Sequence, residues 1–357
     1  MKYYFIIIFL FFIYSAEAQT NTIRHVSDTV GFVNHSWQMD SLVRRINQMY
    51  KQKTDSLLFA KDIDDKTVWK TAICPHDDYS YAGYMYPLIL KNIKAKTVII
   101  FGVCHKAGQF GLENKIVFDS FSSWMGPYGK VKVSQLRDSI IKFLPDDVFV
   151  TDNHVQSVEH SVEAIVPFLQ HYNKDVEIIS ILVPYMNFDR MDQISEILAK
   201  AIDKVFENQS FGEDYAFVIS NDAVHYGNED WGNSNFDFLG SGETGYANAV
   251  AKEHEIISNC FNGQLSEKKI NLFYNYLVDD NDLKQYKWTW CGRFSVSLGL
   301  LTAMKLQALS NQQLISYPLQ YSTSIDHEHV KVNDIRMGVT APAKINHWVG
   351  YATIGFR

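Results

Sequence analysis

The chain is poor in cysteine, carries no excess of positive charge, shows no second long apolar run and contains no repeated segment. Each gap narrows what the protein can be. Its four cysteines among 357 residues, Cys74, Cys104, Cys260 and Cys291, are too widely spaced to establish a disulfide framework. One pairing stays open, because Cys74 and Cys104 both fall just before a histidine at the end of an apolar segment, and neighbouring strand ends can satisfy disulfide geometry. The balance of 33 basic and 40 acidic residues gives a formal charge of −7 with no local basic patch. That balance argues against nucleic acid or an anionic membrane surface as a partner. With no exact repeat, heptad array or low-complexity linker, the sequence offers no convincing boundary between separate units.

What is present is a hydrophobic fraction of 46%, enough to bury a substantial core in a chain of this length. The 20 tyrosines, 23 phenylalanines and 7 tryptophans fit core and interface packing, with carbohydrate contact as their other use. The opening "MKYYFIIIFLFFIYSAEAQT" joins Lys2, an apolar run from Tyr3 to Tyr14 and the small residues of "SAEA". This pattern predicts a secretory signal cut after Ala18, because the run is short for a membrane span and no cysteine follows it to take a lipid. A retained amino-terminal helix is the alternative. The expected organisation is a signal peptide over residues 1–18 and one domain with insertions over 19–357, secreted or periplasmic, with no stable membrane span in the mature chain.

Beyond the leader, extended and helical patterns alternate. "TVWKTAICPHDDYSYAGYMYPLILKNI" predicts a strand, a polar turn after Ile73 and a helix beginning near Ala82, and the next apolar segment, "KTVIIFGVCH", ends in another histidine. The 28 residues between His76 and His105 suit a helical crossover to a neighbouring parallel strand, which brings both strand ends to one sheet edge. "SVEHSVEAIVPFLQHY" and "MDQISEILAKAIDKVFEN" read as amphipathic helices, "DVEIISILVPYM" and "DYAFVISNDAVHYG" as strands, and "RFSVSLGLLTAMKLQAL" as a buried helix. "HWVGYATIGF" is a final extended segment or an edge strand, and "GNEDWGNSNFDFLGSGETG" an ordered loop bordering a site. The fold class that follows is α/β, a single domain with a central mostly parallel or mixed sheet flanked by helices. Ligands of such sheets bind at the carboxyl edge of the strands.

Candidate chemistry gathers at those strand ends. His76 in "CPHDDYSYAG" and His105 in "FGVCHKAG" can hold iron, copper or zinc through neutral imidazole. Cys291 in "WTWCGRFSVSLG" precedes a helix, where free amides and Arg293 favour the thiolate; it is a candidate third ligand or nucleophile, or else a free cysteine at a buried helix start. His225 in "NDAVHYG" suits proton transfer, with Asp222 orienting it or a nearby backbone group, or else belongs to a hydrogen-bonded turn. His160 in "EHSVE" contacts substrate or braces the ligands, or caps a helix. Tyr79, Tyr81, Tyr84, Tyr226 and Trp231 are candidates for the pocket wall.

The segments "PHDDYSYAG", "IIFGVCHKAG", "VEHSVEAIVPFLQ", "VISNDAVHYG" and "WCGRFSVSLGLLTAM", in this order from about residue 70 to residue 305, and the closing "VGYATIGF" resemble the Memo family. That family's fold is similar to class III, LigB-like extradiol dioxygenases. The resemblance implies metal-ligand positions at His76, His105 and Cys291, the additional active-site histidine at His225, and Asp222 and His160 in the polar surroundings. Extradiol dioxygenases hold non-haem Fe(II) with two histidines and a carboxylate. The cysteine in the carboxylate's place, as in Memo-like proteins, admits copper as well as Fe(II), with zinc a further choice. Asp77 and Asp78 replace the small pair usual in the first motif, and Lys106 stands where a second histidine often occurs. The implied function is an iron- or copper-dependent oxidoreductase acting on a small molecule. Its alternatives are a non-catalytic metal-binding or interaction protein and a cysteine- or zinc-dependent hydrolase using Cys291 and His225.

Overall fold

The computed structural model describes residues 22–232 and 234–357. The expected leader over residues 1–18 lies outside them. In chain order the elements that build the site are α1 (Ser36–Ala60), β1 (Thr71–Cys74), α2 (Tyr79–Ala82), α3 (Met85–Leu90), β2 (Thr97–Val103) and α4 (Val166–Tyr172). They continue with β3 (Glu177–Val183), α5 (Phe188–Val205), β4 (Tyr215–Ser220), α6 (Gly242–Cys260), α7 (Glu267–Leu277), α8 (Arg293–Leu309), β5 (Ile315–Thr323) and β6 (Trp348–Phe356). The centre of the sheet runs in the order β3-β2-β4-β1-β6-β5. The first four are mutually parallel, whereas β6 is antiparallel to both β1 and β5, so the sheet is mixed with a parallel core. A short strand at Ile23–Arg24 extends the far side through Ser123–Gly126 and Gly129–Val133.

Every residue of β2 is buried, as expected of a parallel strand covered on both faces. The two-residue period sends Ile99, Phe101, Ile179, Ile181, Phe217 and Ile219 into one apolar cluster with α5, α6, α7 and α8. Val98, Ile100, Ile178, Leu182, Ala216 and Val218 enter a second cluster, with α1, α3 and α4 on the opposite face. α8 is buried almost all round because it packs against α5 and α7 as well as the sheet. Its Gly299 lies against the sheet, where an added Cβ would sit 2.7 Å from Ile219 and 3.3 Å from Phe101.

Several expectations change. The strands leading to His76 and His105 are not neighbours, because β4 lies between them. Cys74 and Cys104 are therefore on separated strand ends, and all four cysteines are free and buried. β6 is an interior strand rather than an edge. The helix expected at Ala82 starts at Tyr79, and that expected across "SVEHSVEAIVPFLQHY" begins only at Val166. Residues 158–165 form turns instead, since the Glu159 carboxylate accepts hydrogen bonds from the amides of His160 and Ser161 and competes with helical pairing.

Candidate metal centre

The carboxyl ends of β1, β2 and β4 deliver His76, His105 and the Asp222 to His225 segment to one sheet edge, and Cys291 arrives just ahead of α8. Gly292 is needed there for close approach, because a Cβ would fall 2.5 Å from Asn221 Oδ1. Among the described residues two groups place their donor atoms within 4.8 Å of one another: His76, His105 and His160, and His76, Asp222 and Cys291. His76 is common to both, with His105 in one group and Cys291 in the other. The expected ligand trio of His76, His105 and Cys291 is therefore not itself one of these groups; His76 is the residue that links them. A cavity of about 630 Å³ opens above it, lined in part by His76, His105, His160, Asp222 and His225.

Hydrogen bonds assign the imidazole tautomers. The Ser220 hydroxyl donates to the Ser161 carbonyl at 2.7 Å, so at 2.7 Å from His76 Nδ1 it can only accept, and Nδ1 carries the proton. His76 Nε2 is left as a lone pair, 3.4 Å from Cys291 Sγ and 3.4 Å from Asp222 Oδ2. His105 Nδ1 donates to Glu159 Oε1 at 2.8 Å, while Glu159 Oε2 accepts from the His105 amide. His225 Nδ1 donates to the Thr289 carbonyl at 3.1 Å. All three histidines thus turn Nδ1 to a protein acceptor and leave Nε2 as the ligand atom, the arrangement by which outer hydrogen bonds orient metal-binding imidazoles.

Burial, followed by the neighbouring His105 and His160, holds the His76 imidazole well below its ordinary value. His225 is lowered to about 4, chiefly by burial, so it stays neutral at physiological pH. His160 is lowered by the same cause, although its ring keeps 44% of its exposure, facing the cavity. Burial opposes ionisation of Glu159, yet His105 beside it brings the carboxyl below the usual range. Asp222 moves the other way, raised by burial and then by Asp77, and its carboxylate accepts the His76 amide at 2.8 Å. The expected Cys291 thiolate is not favoured by the protein alone. Burial and Asp222 push the thiol well above its ordinary value, outweighing Arg293, so a bound cation would have to displace the proton.

Cys291 Sγ meets His76 Nε2 and the backbone of Asp222, and His225 is not among its hydrogen-bond partners, so the nitrogen beside the thiol is that of His76 rather than the expected His225. Of the candidate wall aromatics, Tyr81 and Trp231 line the cavity, whereas Tyr79, Tyr84 and Tyr226 are packed elsewhere. Asp77 and Asp78 line it too, tied to Tyr351 and to Thr340 respectively. Other supports were invisible in the sequence. Glu253 on α6 accepts from the indoles of Trp288 and Trp290 at 2.6 and 2.7 Å and from the Val224 amide at 3.2 Å, and burial pushes its carboxyl up to about 7. A lone glutamate in an amphipathic helix gives no sign of that role; the alternation in "WTWC" is the only hint, with both indoles turned to one side.

With this geometry in place, the comparison with known proteins is specific. A family model described as Memo-like protein matches residues 35–336. The chain belongs to the Memo family. MEMO1 family proteins of Pyrococcus abyssi and Aquifex aeolicus are 29% identical over 160 residues and 28% identical over 177 residues. These alignments cover 43% and 49% of this chain and 52% and 61% of the relatives, so the chain spans between half and two thirds of the length of the curated Memo relatives it matches. A third relative, from Pyrococcus horikoshii, is 27% identical over 178 residues, covering 47% of this chain and 58% of its own length. All six site residues lie within the span of the Memo family model.

Proposed function

We propose that this Memo family member is an exported metal-dependent oxidoreductase that holds Fe(II) or copper at His76, His105 and Cys291 and accepts a small molecule in the cavity above. The observation that carries the reading is the shared tautomer: Nδ1 of His76 and of His105 is occupied by a protein acceptor, and His76 Nε2 lies 3.4 Å from Cys291 Sγ. Neutral imidazoles beside a thiol fit a borderline or soft divalent ion better than magnesium or calcium, which prefer all-oxygen shells. When bound, iron or copper supplies Lewis acidity and one-electron chemistry.

The remaining work falls to the chain's own side chains. His225, neutral and fixed by Thr289, accepts a proton from substrate at Nε2. Asp222, whose carboxyl is raised by burial and then by Asp77, holds the His76 amide at 2.8 Å and so positions that ligand. Trp231, 4.0 Å from the His347 ring, forms an aromatic wall that shields one side from water. None of the described helices is long and apolar enough to cross a membrane. The leader pattern of residues 1–18 supports export.

Anaerobic purification followed by elemental analysis and Co(II) substitution tests the reading. About one ion per chain is expected, with a thiolate-to-cobalt charge-transfer band that disappears in Cys291→Ser. His76→Ala should lower metal affinity by roughly 10- to 100-fold or more. His225→Ala should keep the ion and lose metal-dependent oxygen uptake with catechol probes. Uptake absent from the loaded wild-type protein across a broad probe panel would favour a non-catalytic metal binder, and no ion with no charge-transfer band would remove the metal reading.

A further inference from the structure

Residues 22–34 form an arm ahead of the segment matched by the family model. Ser27, Asp28, Thr29, Val30 and Phe32 of this arm line the cavity. Its Arg24 is only 1% exposed and stacks over Trp124 at 4.2 Å. The guanidinium donates from Nε to the Gln156 carbonyl at 2.9 Å and from Nη2 to the Glu159 carbonyl at 2.6 Å, and pairs through Nη1 with Glu163 at 2.5 Å. Glu163 in turn accepts from the amides of Ser27 and Asp28 at 2.9 Å. Arm and loop thus lock each other reciprocally.

The loop so held is the common support of the histidines. The Glu159 carboxylate binds both the amide and Nδ1 of His105, each at 2.8 Å. The Ser161 carbonyl accepts from Ser220, whose hydroxyl accepts from His76 Nδ1. His160 belongs to the loop itself and stacks on His105 with ring centroids 4.6 Å apart. We propose that Arg24 is a positioning residue of the metal centre: by fixing residues 156–163 through two carbonyls and a carboxylate, it sets the orientation of His76 and His105. A planar fork of donors is required for this, which an ammonium cannot replace. The consequence for metal affinity rests on the reading of the site as a metal centre; the orientation of the imidazoles does not.

The test compares the full chain with Arg24→Gln, Arg24→Lys and Leu198→Ala. Leu198 is buried in α5 in the apolar cluster across the sheet and serves as a control for lost stability. Imidazole nitrogen NMR on metal-free protein reads the tautomers, Co(II) titration reads affinity, and Tm reads the fold. In both Arg24 variants the His76 and His105 signals should lose their single-tautomer pattern, and Co(II) affinity should fall at least tenfold. Leu198→Ala should lower Tm with neither change. Should Arg24→Gln fail to fold, Arg24→Lys, which keeps the charge opposite Glu163, decides by the same signals. Unchanged imidazole signals in a folded Arg24 variant, or the same disturbance in Leu198→Ala, would overturn the inference. A wild-type protein that ignores Co(II) would overturn the metal reading instead, with the imidazole comparison still deciding the role of Arg24.

Discussion

The acceptors at Nδ1 fix which nitrogen of each histidine is left free for a ligand. Ser220→Ala leaves His76 Nδ1 without its acceptor, 2.7 Å away in the native chain. Metal affinity should drop about 10- to 100-fold with little change in Tm, measured by competition with a coloured chelator. Glu253 gives a pH signature. Its carboxyl is raised by burial to about 7 from an ordinary 4.5. Its stabilising contribution is therefore complete below pH 4.5 and is lost as the pH rises through 7. Glu253→Gln removes that dependence, so the stability gap between wild type and variant should narrow by about 3 kcal/mol between pH 4.5 and 8, read from denaturant unfolding. A gap that stays constant would contradict the raised carboxyl. His76, His105, Asp222 and His225 could be placed at one sheet edge from the sequence because each follows a strand end, whereas Cys291 stood out by its place ahead of a helix and His160 by its acidic neighbours. Ser220, Glu253 and Arg24 could not, because their roles depend on partners 29 or more positions away, outer-layer contacts for which sequence spacing carries no signal.

At the scale of elements, the alternation of strands and helices and the buried character of α8 could be read directly from periodicity. Sheet order could not, because a crossover of 28 residues reaches a second neighbour as readily as a first, and here β4 is inserted between β1 and β2. The turn around Glu159 was missed for a different reason: its flanking apolar residues keep helical spacing while a side chain takes over the amides. Contact between α8 and the sheet is close enough to test. Gly299→Ala would place a methyl 2.7 Å from Ile219, and overpacking of this kind should destabilise the chain by about 1–3 kcal/mol, seen in urea unfolding. Because α8 begins just after Cys291, the same variant should also weaken the cobalt–thiolate band.

For the whole molecule, two apolar clusters pack on opposite faces of one sheet, in keeping with a single domain. Export is tested at this scale. Protein recovered from the periplasm or medium of a bacterial host should begin at Gln19, as established by amino-terminal sequencing, and chain retained in the cytoplasm with Met1 would count against it. Proposed export would also bear on the order in which the fold can close. β6, over Trp348–Phe356, occupies a place between β1 and β5 rather than on the rim. Until residue 356 has emerged, whether from a ribosome or from a translocation pore, the sheet holds an open slot flanked by two unsatisfied backbone ladders. A chain lacking those last residues would therefore leave β1 and β5 unpaired on their facing edges.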